Sequence, residues 1–304
     1  MSRRKPKGPL RKGWTTGACA TAAARAAYQA LLTGTFPDPV TITLPRGERP
    51  SFPLSRASLE DGQASAGVIK DAGDDPDVTH GAEIISTVAP GPPGSGVTFA
   101  AGDGVGTVTL AGLPVDVGEA AINPAPRRMM TGAVNALADE FGCAPVDLRI
   151  TVSIPGGADL ALRTTNGRLG IAGGLSVLGT TGVVIPYSCA SWIHSIHSGV
   201  DVCRAAGIGH IAGCTGRTSG EAVRKMHRIP ETACMDMGDF AGGLLKYLRK
   251  NPVRRLTIAG GFAKMSKLAA GNLDLHSSRS EVDFHVLAAW LADLGAPAAA
   301  VERA

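Results

Sequence analysis

Apolar and polar positions along the 304-residue chain change rhythm near its middle. In the first half, short β-branched runs are broken by Gly, Pro and Asp clusters, which predicts strands over 40–44, 65–70, 83–88, 96–101 and 105–110. An Ala-rich helix precedes them. Thr15 or Thr16 can cap its first turn, alanine propagates it, and Gly34 can stop it. A second helix is expected over 127–141 and another strand over 148–154, after which Pro155-Gly156-Gly157 turns the chain. This half is expected to be α+β with a mainly antiparallel sheet. The second half alternates helix and strand: helices over 188–206, 218–227, 240–250 and 263–270, strands over 208–212, 232–235 and 255–259. Such alternation with short Gly-bearing connections predicts α/β architecture, a parallel, Rossmann-like sheet covered by helices. A last helix over 281–294 has Ser280 and Asp283 in capping-box positions and one apolar face formed by Val286, Leu287, Trp290, Leu291 and Leu294. The expected organisation is a basic leader at 1–11, an α+β domain at 12–160 and an α/β domain at 161–304.

Composition changes the picture in three places. Forty glycines are about twice the usual share, so the chain relies on tight turns and close backbone approaches. Six cations and no acid fall in the first twelve residues, leaving 24 basic against 26 acidic residues beyond them. The leader is expected to be disordered, and the folded body offers no global basic field for nucleic acid. The cysteines, Cys19, Cys143, Cys189, Cys203, Cys214 and Cys234, show no C-x-x-C pairing and are expected to be reduced thiols of a cytoplasmic protein. The basic leader runs into no apolar h-region, so it is not expected to be a secretory signal. One uncharged run, 169–192, has the length of a membrane span, but its glycines, Pro186 and hydroxyl residues are turn chemistry between buried strands.

Candidate chemistry gathers in the second half. Ligands of open parallel sheets bind beyond the carboxyl ends of the strands. Three loops qualify: Gly213-Cys214-Thr215-Gly216, Asp236-Met237-Gly238-Asp239 and Gly260-Gly261-Phe262. Together they suggest one nucleoside-like ligand over Gly213, Gly216, Gly238, Gly260 and Gly261, with Asp236 on a ribose hydroxyl. Lys264 and Lys267, beside the last loop, suit a solvated helix face or an anionic ligand. His276 lies in a polar loop and can titrate near neutrality. His194 and His197 are three apart but lack a partner carboxylate nearby, and no metal site is expected. The acidic run Asp71-Ala72-Gly73-Asp74-Asp75-Pro76-Asp77 lacks EF-hand spacing and is read as a turn whose Asp side chains cap backbone groups, with a substrate-orienting role as the alternative. Hydroxyls and free N–H groups at the start of the first helix form a natural seat for an anion.

With these residues in view, the chain resembles the CbiD family of cobalt-precorrin-5B C(1)-methyltransferases. Gly13-Trp14-Thr15-Thr16-Gly17-Ala18-Cys19-Ala20 looks like the family's G-x-T-T-G-x-C-A signature, and Lys70-Asp71-Ala72-Gly73-Asp74-Asp75-Pro76-Asp77 its acidic segment. Gly104-Val105-Gly106-Thr107-Val108, Gly118-Glu119-Ala120-Ala121-Ile122-Asn123-Pro124-Ala125-Pro126-Arg127 and Gly173-Gly174-Leu175-Ser176-Val177-Leu178-Gly179-Thr180-Thr181-Gly182 are similar to further blocks. Lys264-Met265-Ser266-Lys267-Leu268-Ala269-Ala270-Gly271 with His276-Ser277 is similar to the last. The sequence departs from the family where G-N-x-G reads Gly213-Cys214-Thr215-Gly216 and where G-H-x-G-K reads Gly260-Gly261-Phe262-Ala263-Lys264.

The resemblance implies a two-domain fold of the family's own kind. It also implies methyl transfer from S-adenosyl-L-methionine to C1 of a ring-contracted tetrapyrrole, in cobalamin biosynthesis. Under it, the three glycine loops become the donor site. The acceptor's carboxylates would meet Thr15, Thr16, Arg127, Lys264 and Lys267 in a groove between the domains, with His276 and Lys264 as candidate catalytic groups. A cobalt-containing and a metal-free acceptor both stay open, as does a homodimer. Two other classes fit the residues alone: a non-catalytic tetrapyrrole carrier, and an α/β enzyme of a nucleotide or phosphorylated substrate.

Overall fold

The computed structural model describes residues 8–303 and divides into two compact units, Met1–Ser188 and Cys189–Ala304. The boundary therefore falls later than the expected 160/161. The reason is strand pairing: Ile171–Ala172 pairs antiparallel with Thr107–Val108, and Val183–Val184 pairs antiparallel with Gly13–Trp14. Most of the expected leader, residues 1–7, lies outside the described residues. Arg11, its last residue, is held in place: its guanidinium forms a bidentate pair with Asp71, and its backbone N–H donates to Asp74 Oδ2 at 2.6 Å.

The first unit is built on a five-stranded sheet in the order Arg56–Glu60, Gln63–Ile69, Glu83–Pro90, Leu148–Ser153, Val97–Ala101. The first three pairings are antiparallel and the last is parallel, so the sheet is mixed. Helix α1 (Thr16–Thr33) and helix α2 (Pro124–Glu140) pack with it in one core, in which the alanines of α1 meet Ile84, Val88, Ile150 and Val152 of the sheet and Met130, Val134 and Leu137 of α2. The alanines explain how α1 can be buried on nearly every side: without bulk beyond Cβ, sheet and helix both approach its backbone. Thr15 is its N-cap, its Oγ1 accepting from Ala18 N, and Gly34 ends it in the left-handed region at φ 75°. Helix α2 begins three residues earlier than expected, because Pro124 occupies its first turn, where a missing N–H costs nothing. The expected strands over 40–44 and 105–110 shrink to Val40–Thr41 and Thr107–Val108.

In the second unit three parallel strands lie in the order Cys234–Asp236, His210–Cys214, Arg255–Ala259. Each is followed by a helix: His210–Cys214 by Arg217–His227, Cys234–Asp236 by Ala241–Lys250, and Arg255–Ala259 by Phe262–Ala269. Ile196, Val200, Ile211, Met235, Leu244 and Leu275 anchor the core of this unit. The helix expected over 281–294 forms as Phe284–Asp293, starting later than expected and followed by a short helix, Ala298–Val301. Asp283 caps it by accepting from Val286 N at 3.1 Å, but Ser280 takes no part in a capping box: its hydroxyl donates to the Asp274 carbonyl at 2.8 Å. No helix among the described residues is long and apolar enough to cross a membrane.

Candidate functional site

The parallel register sets the geometry of the second unit. Cys214 lies level with Asp236 on one side and with Ala259 on the other, so the three strands end abreast. The loops they feed are stitched together there: Thr215 N donates to the Ala259 carbonyl at 3.0 Å, and Met237 N to the Cys214 carbonyl at 2.9 Å. The following helices begin at Gly216, Phe240 and Gly261, and none of these positions carries a side-chain cap. Three helix starts without side-chain caps thus share one edge; in the second the Gly242 N–H already donates to the Leu273 carbonyl at 2.7 Å, so the starts after Gly216 and Gly261 are the ones that suit a ligand with hydroxyl or anionic groups.

The six donor-site residues do not behave alike. A Cβ on Gly216 or on Gly261 would meet nothing within 4 Å, so both backbones face open space. Asp236 ends its strand with an exposed carboxylate. Gly238 adopts φ +53°, the left-handed region that favours glycine, beneath the Trp192 ring. Gly260 is closely covered from within, since a Cβ there would lie 2.8 Å from Thr215 Cγ2 and 3.3 Å from Met265 Sδ. Gly213 points the other way. Its Cβ position is filled by Leu244, with Met237 Sδ at 2.9 Å and Ile258 Cδ1 at 3.0 Å. It is a packing glycine of the core, not a ligand contact. Two exposed aromatics border the same edge, of which Trp192 was not singled out from the sequence. Trp192 donates its indole N–H to the Asp236 carbonyl at 2.9 Å, and Phe262 follows Gly261 at 75% exposure. Trp192 was hidden by sequence distance, 44 residues from its partner.

The two lysines are engaged. Lys264 Nζ lies 2.8 Å from Asp239 Oδ1 in a partly exposed ion pair that ties the third loop to the second. Lys267 is buried, and its ammonium donates to the Leu275 carbonyl at 3.3 Å. Its expected contact with a carboxylate does not fit that inward orientation. His276 is exposed, and its Nδ1 accepts from Ser278 N at 3.1 Å. His197 stacks on Tyr247 with 3.9 Å between ring centroids, and its Nε2 faces the Gly243 carbonyl at 3.2 Å. Burial and the Asp201 hydrogen bond push the Tyr247 hydroxyl up to about 12. Among the described residues no group of three or more metal-capable side chains is assembled.

The candidate residues of the first unit are consumed by its fold. Thr15 and Thr16 are buried, and the start of α1 is closed over by the chain at 178–182: Gly17 N donates to the Leu178 carbonyl at 3.0 Å and Thr15 N to the Gly182 carbonyl at 2.9 Å. The expected anion seat is thus filled internally. Arg127 donates Nε to the Ile122 carbonyl at 2.8 Å and NH2 to the Ala120 carbonyl and Glu119, with its guanidinium over Phe99. It clamps its own loop. The acidic run is equally inward-looking. Asp71 accepts from Gly73 N, and Asp75 from Tyr187 N at 2.8 Å. Gly13 lies so close to the Ala72 backbone that any Cβ would collide with it. The Arg11 hydrogen bonds, first, and the Gly73 N–H hold the Asp71 carboxyl down at about 2. Burial pushes Asp77 up, but the Lys70 ammonium and the Thr79 donors outweigh it and leave its pKa below the ordinary value.

This is a two-unit α/β protein whose second unit gathers level parallel strands, helix starts without side-chain caps and glycine loops at one edge, where open parallel sheets bind ligands. The CbiD family model matches residues 3–186, and the chain belongs to the CbiD family. It is 62% identical over 297 residues to the cobalt-precorrin-5B C(1)-methyltransferase of Brucella abortus (strain S19), covering 98% of this chain and 80% of that protein. It is 64% identical over 292 residues to the protein of the same name from Paramagnetospirillum magneticum, covering 96% and 82% respectively. Among solved structures, the crystal structure of the cobalamin biosynthesis protein (cbiD) from Archaeoglobus fulgidus matches with 29% identity and a TM-score of 0.48, over 90% of this chain and 84% of that one.

Proposed function

We propose that this chain is an S-adenosyl-L-methionine-dependent C-methyltransferase, cytoplasmic, that methylates C1 of cobalt-precorrin-5B. The observation that carries the reading is the 62% identity over 98% of the chain with proteins of that activity, which extends through the strand-end loops beyond the family model's last matched residue, 186. The residues at the carboxyl edge of the parallel sheet fit the donor. Gly216 and Gly261 leave backbone surface open, Asp236 offers an exposed acceptor for ribose hydroxyls, and Trp192 and Phe262 offer apolar faces for a purine. When bound, the sulfonium supplies an electrophilic methyl group.

The chain's own contribution is alignment. An in-line displacement needs no nucleophilic side chain, and holding the reactants in register can account for about 7–11 kcal/mol of barrier lowering. The Lys264–Asp239 pair fixes two of the three loops against each other, which makes Lys264 a positioning residue in this reading. His276 is exposed, with Ser278 engaging only its Nδ1, so its Nε2 is free to hydrogen-bond an acceptor carboxylate or ring nitrogen.

The test is equilibrium binding of S-adenosyl-L-methionine, ATP and NAD, each with and without a cobalt-precorrin, followed by methyl transfer from labelled donor. The expected result is selective binding of the sulfonium nucleoside and label in the tetrapyrrole. Absence of donor binding in both conditions, or tighter binding of ATP or NAD, overturns the reading.

A further inference from the structure

The first unit contains a cleft of about 560 Å³, within the range that holds a sizeable organic ligand, and none of the candidate site residues read from the sequence lines it. One wall is the segment Thr41–Pro45 with Arg49. The other is the face of α2 that carries Ala125, Gly132 and Ala136, with Arg25 of α1 reaching in. Met129, between Ala125 and Gly132 on that face, adds one larger apolar side chain to otherwise small ones, and a Cβ on Gly132 would meet nothing within 4 Å. Three arginines line the space against one acid, Glu140.

Those arginines are in different states. Arg25 is partly occupied, donating to the Ala133 carbonyl at 3.4 Å and standing 3.8 Å from Glu140. Arg49 and Arg128 are exposed and have no ion pair or side-chain hydrogen bond to any described residue. They contrast with Arg11, Arg56 and Arg127 of the same unit, each paired with a carboxylate. Two unpaired guanidiniums at a cleft whose α2 side presents Ala125, Met129, Gly132 and Ala136 suit a ligand with an apolar body and carboxylate arms.

We propose that this cleft seats the carboxylate-bearing tetrapyrrole, with Arg49 and Arg128 as its charge partners and the Ala125–Gly132–Ala136 face against the macrocycle. The proposal rests on the methyltransferase reading for the identity of the ligand. It relocates the first unit's carboxylate contacts from Thr15 and Arg127, whose polar groups the fold already uses, and from Thr16, which is buried.

The probe is uroporphyrin, a stable tetrapyrrole with acetate and propionate arms, titrated into the full chain by absorbance and fluorescence quenching. Arg49→Gln and Arg128→Gln should each weaken binding by about ten- to a hundredfold, the span of a lost charge-assisted hydrogen bond. They should also flatten the salt dependence and leave S-adenosyl-L-methionine affinity unchanged. Gly132→Leu separates occlusion from unfolding. It places bulk in the open cleft while replacing a mid-helix glycine with a better helix former, so tetrapyrrole affinity should fall as thermal stability rises. Parent-like binding in all three variants, or no uroporphyrin binding by the parent, overturns the cleft. Failure of the methyltransferase reading shows separately, as absence of methyl transfer to cobalt-precorrin by the parent.

Discussion

Replacing Lys70 by Met tests whether the acidic motif is held together by a buried charge. Lys70 is 1% exposed, and its ammonium stands 2.6 Å from Asp77 Oδ2, on a carboxylate that keeps 27% exposure and also accepts from the Thr79 N–H and hydroxyl. Removing one partner of a buried pair typically costs about 3–5 kcal/mol, because the other charge is left uncompensated. Residual exposure and the Thr79 donors put Lys70→Met at the lower end, about 3 kcal/mol near neutral pH. For a unit of this size that corresponds to a melting point lower by about 6–12 °C. The pH dependence supplies the sharper check. In the parent, the Asp77 pKa is depressed, so its contribution is complete above the unfolded value, 3.8, and is lost as pH falls through the folded one. In Lys70→Met only burial and the Thr79 donors remain, and burial, the largest influence, moves the pKa up. The carboxylate then destabilises above that raised value, and protonation relieves it as pH falls. The gap between parent and variant should be widest near pH 7 and narrow toward about pH 4, as measured by urea unfolding followed by circular dichroism. Adding Asp77→Asn should recover much of the loss. A gap that is flat with pH, or a double variant no more stable than the single one, would refute the argument.

Three further outcomes are expected. Gly261→Val should leave the melting point nearly unchanged, since its Cβ enters open space at an ordinary φ of −66°, while lowering donor affinity at least about tenfold; Gly260→Val, driven against Thr215, should instead cost about 1–3 kcal/mol of stability. Parent-like donor binding by a folded Gly261→Val would move the donor elsewhere. Lys264→Ala and Asp239→Asn should each loosen the same loops, with a coupling of about 1 kcal/mol or less in a double-mutant cycle because the pair is partly exposed; strict additivity would mean that the contact does nothing. Arg11→Ala should let Asp71 titrate upward from about 2 toward the ordinary carboxylate range, seen by NMR, and the stability this pair adds above pH 4 and loses as pH falls toward 2 should disappear with it; an unmoved titration would assign the depression to Gly73 N–H alone.

The alternation of helix and strand after residue 188 was legible because each buried strand is a short apolar run bounded by a glycine turn, and local chemistry alone sets those limits. The first unit was harder to read. Its sheet is expected to be antiparallel wherever short strands follow one another, yet Val97–Ala101 and Leu148–Ser153 run parallel, joined by a connection that contains α2. No local pattern announces such a crossover. The boundary moved for a similar reason, since the 171–184 strands find partners at 107–108 and 13–14, far back in sequence.

Conspicuous motifs of the first unit spend many of their polar groups on one another, which their sequences do not reveal. Gly13-Trp14-Thr15-Thr16-Gly17, the acidic run and the 178–182 segment interlock: Trp14 N donates to the Asp71 carbonyl at 2.7 Å, and Gly17 N to Leu178. Gly73 in turn packs against the Arg11 and Lys12 backbone, where no Cβ fits. A motif of glycines, threonines and aspartates has the same composition whether its polar groups face a ligand or each other, and only the tertiary partner decides. Lys267 and Arg127 make the same point with charge, as both are spent on backbone carbonyls that a sequence does not reveal. The converse holds for Arg49 and Arg128. They stand in unremarkable surroundings in the sequence, and they matter because the fold leaves them unpaired at the mouth of a cleft. In this chain the dense motifs build the scaffold, so the groups left to meet a ligand are the ones the scaffold does not use.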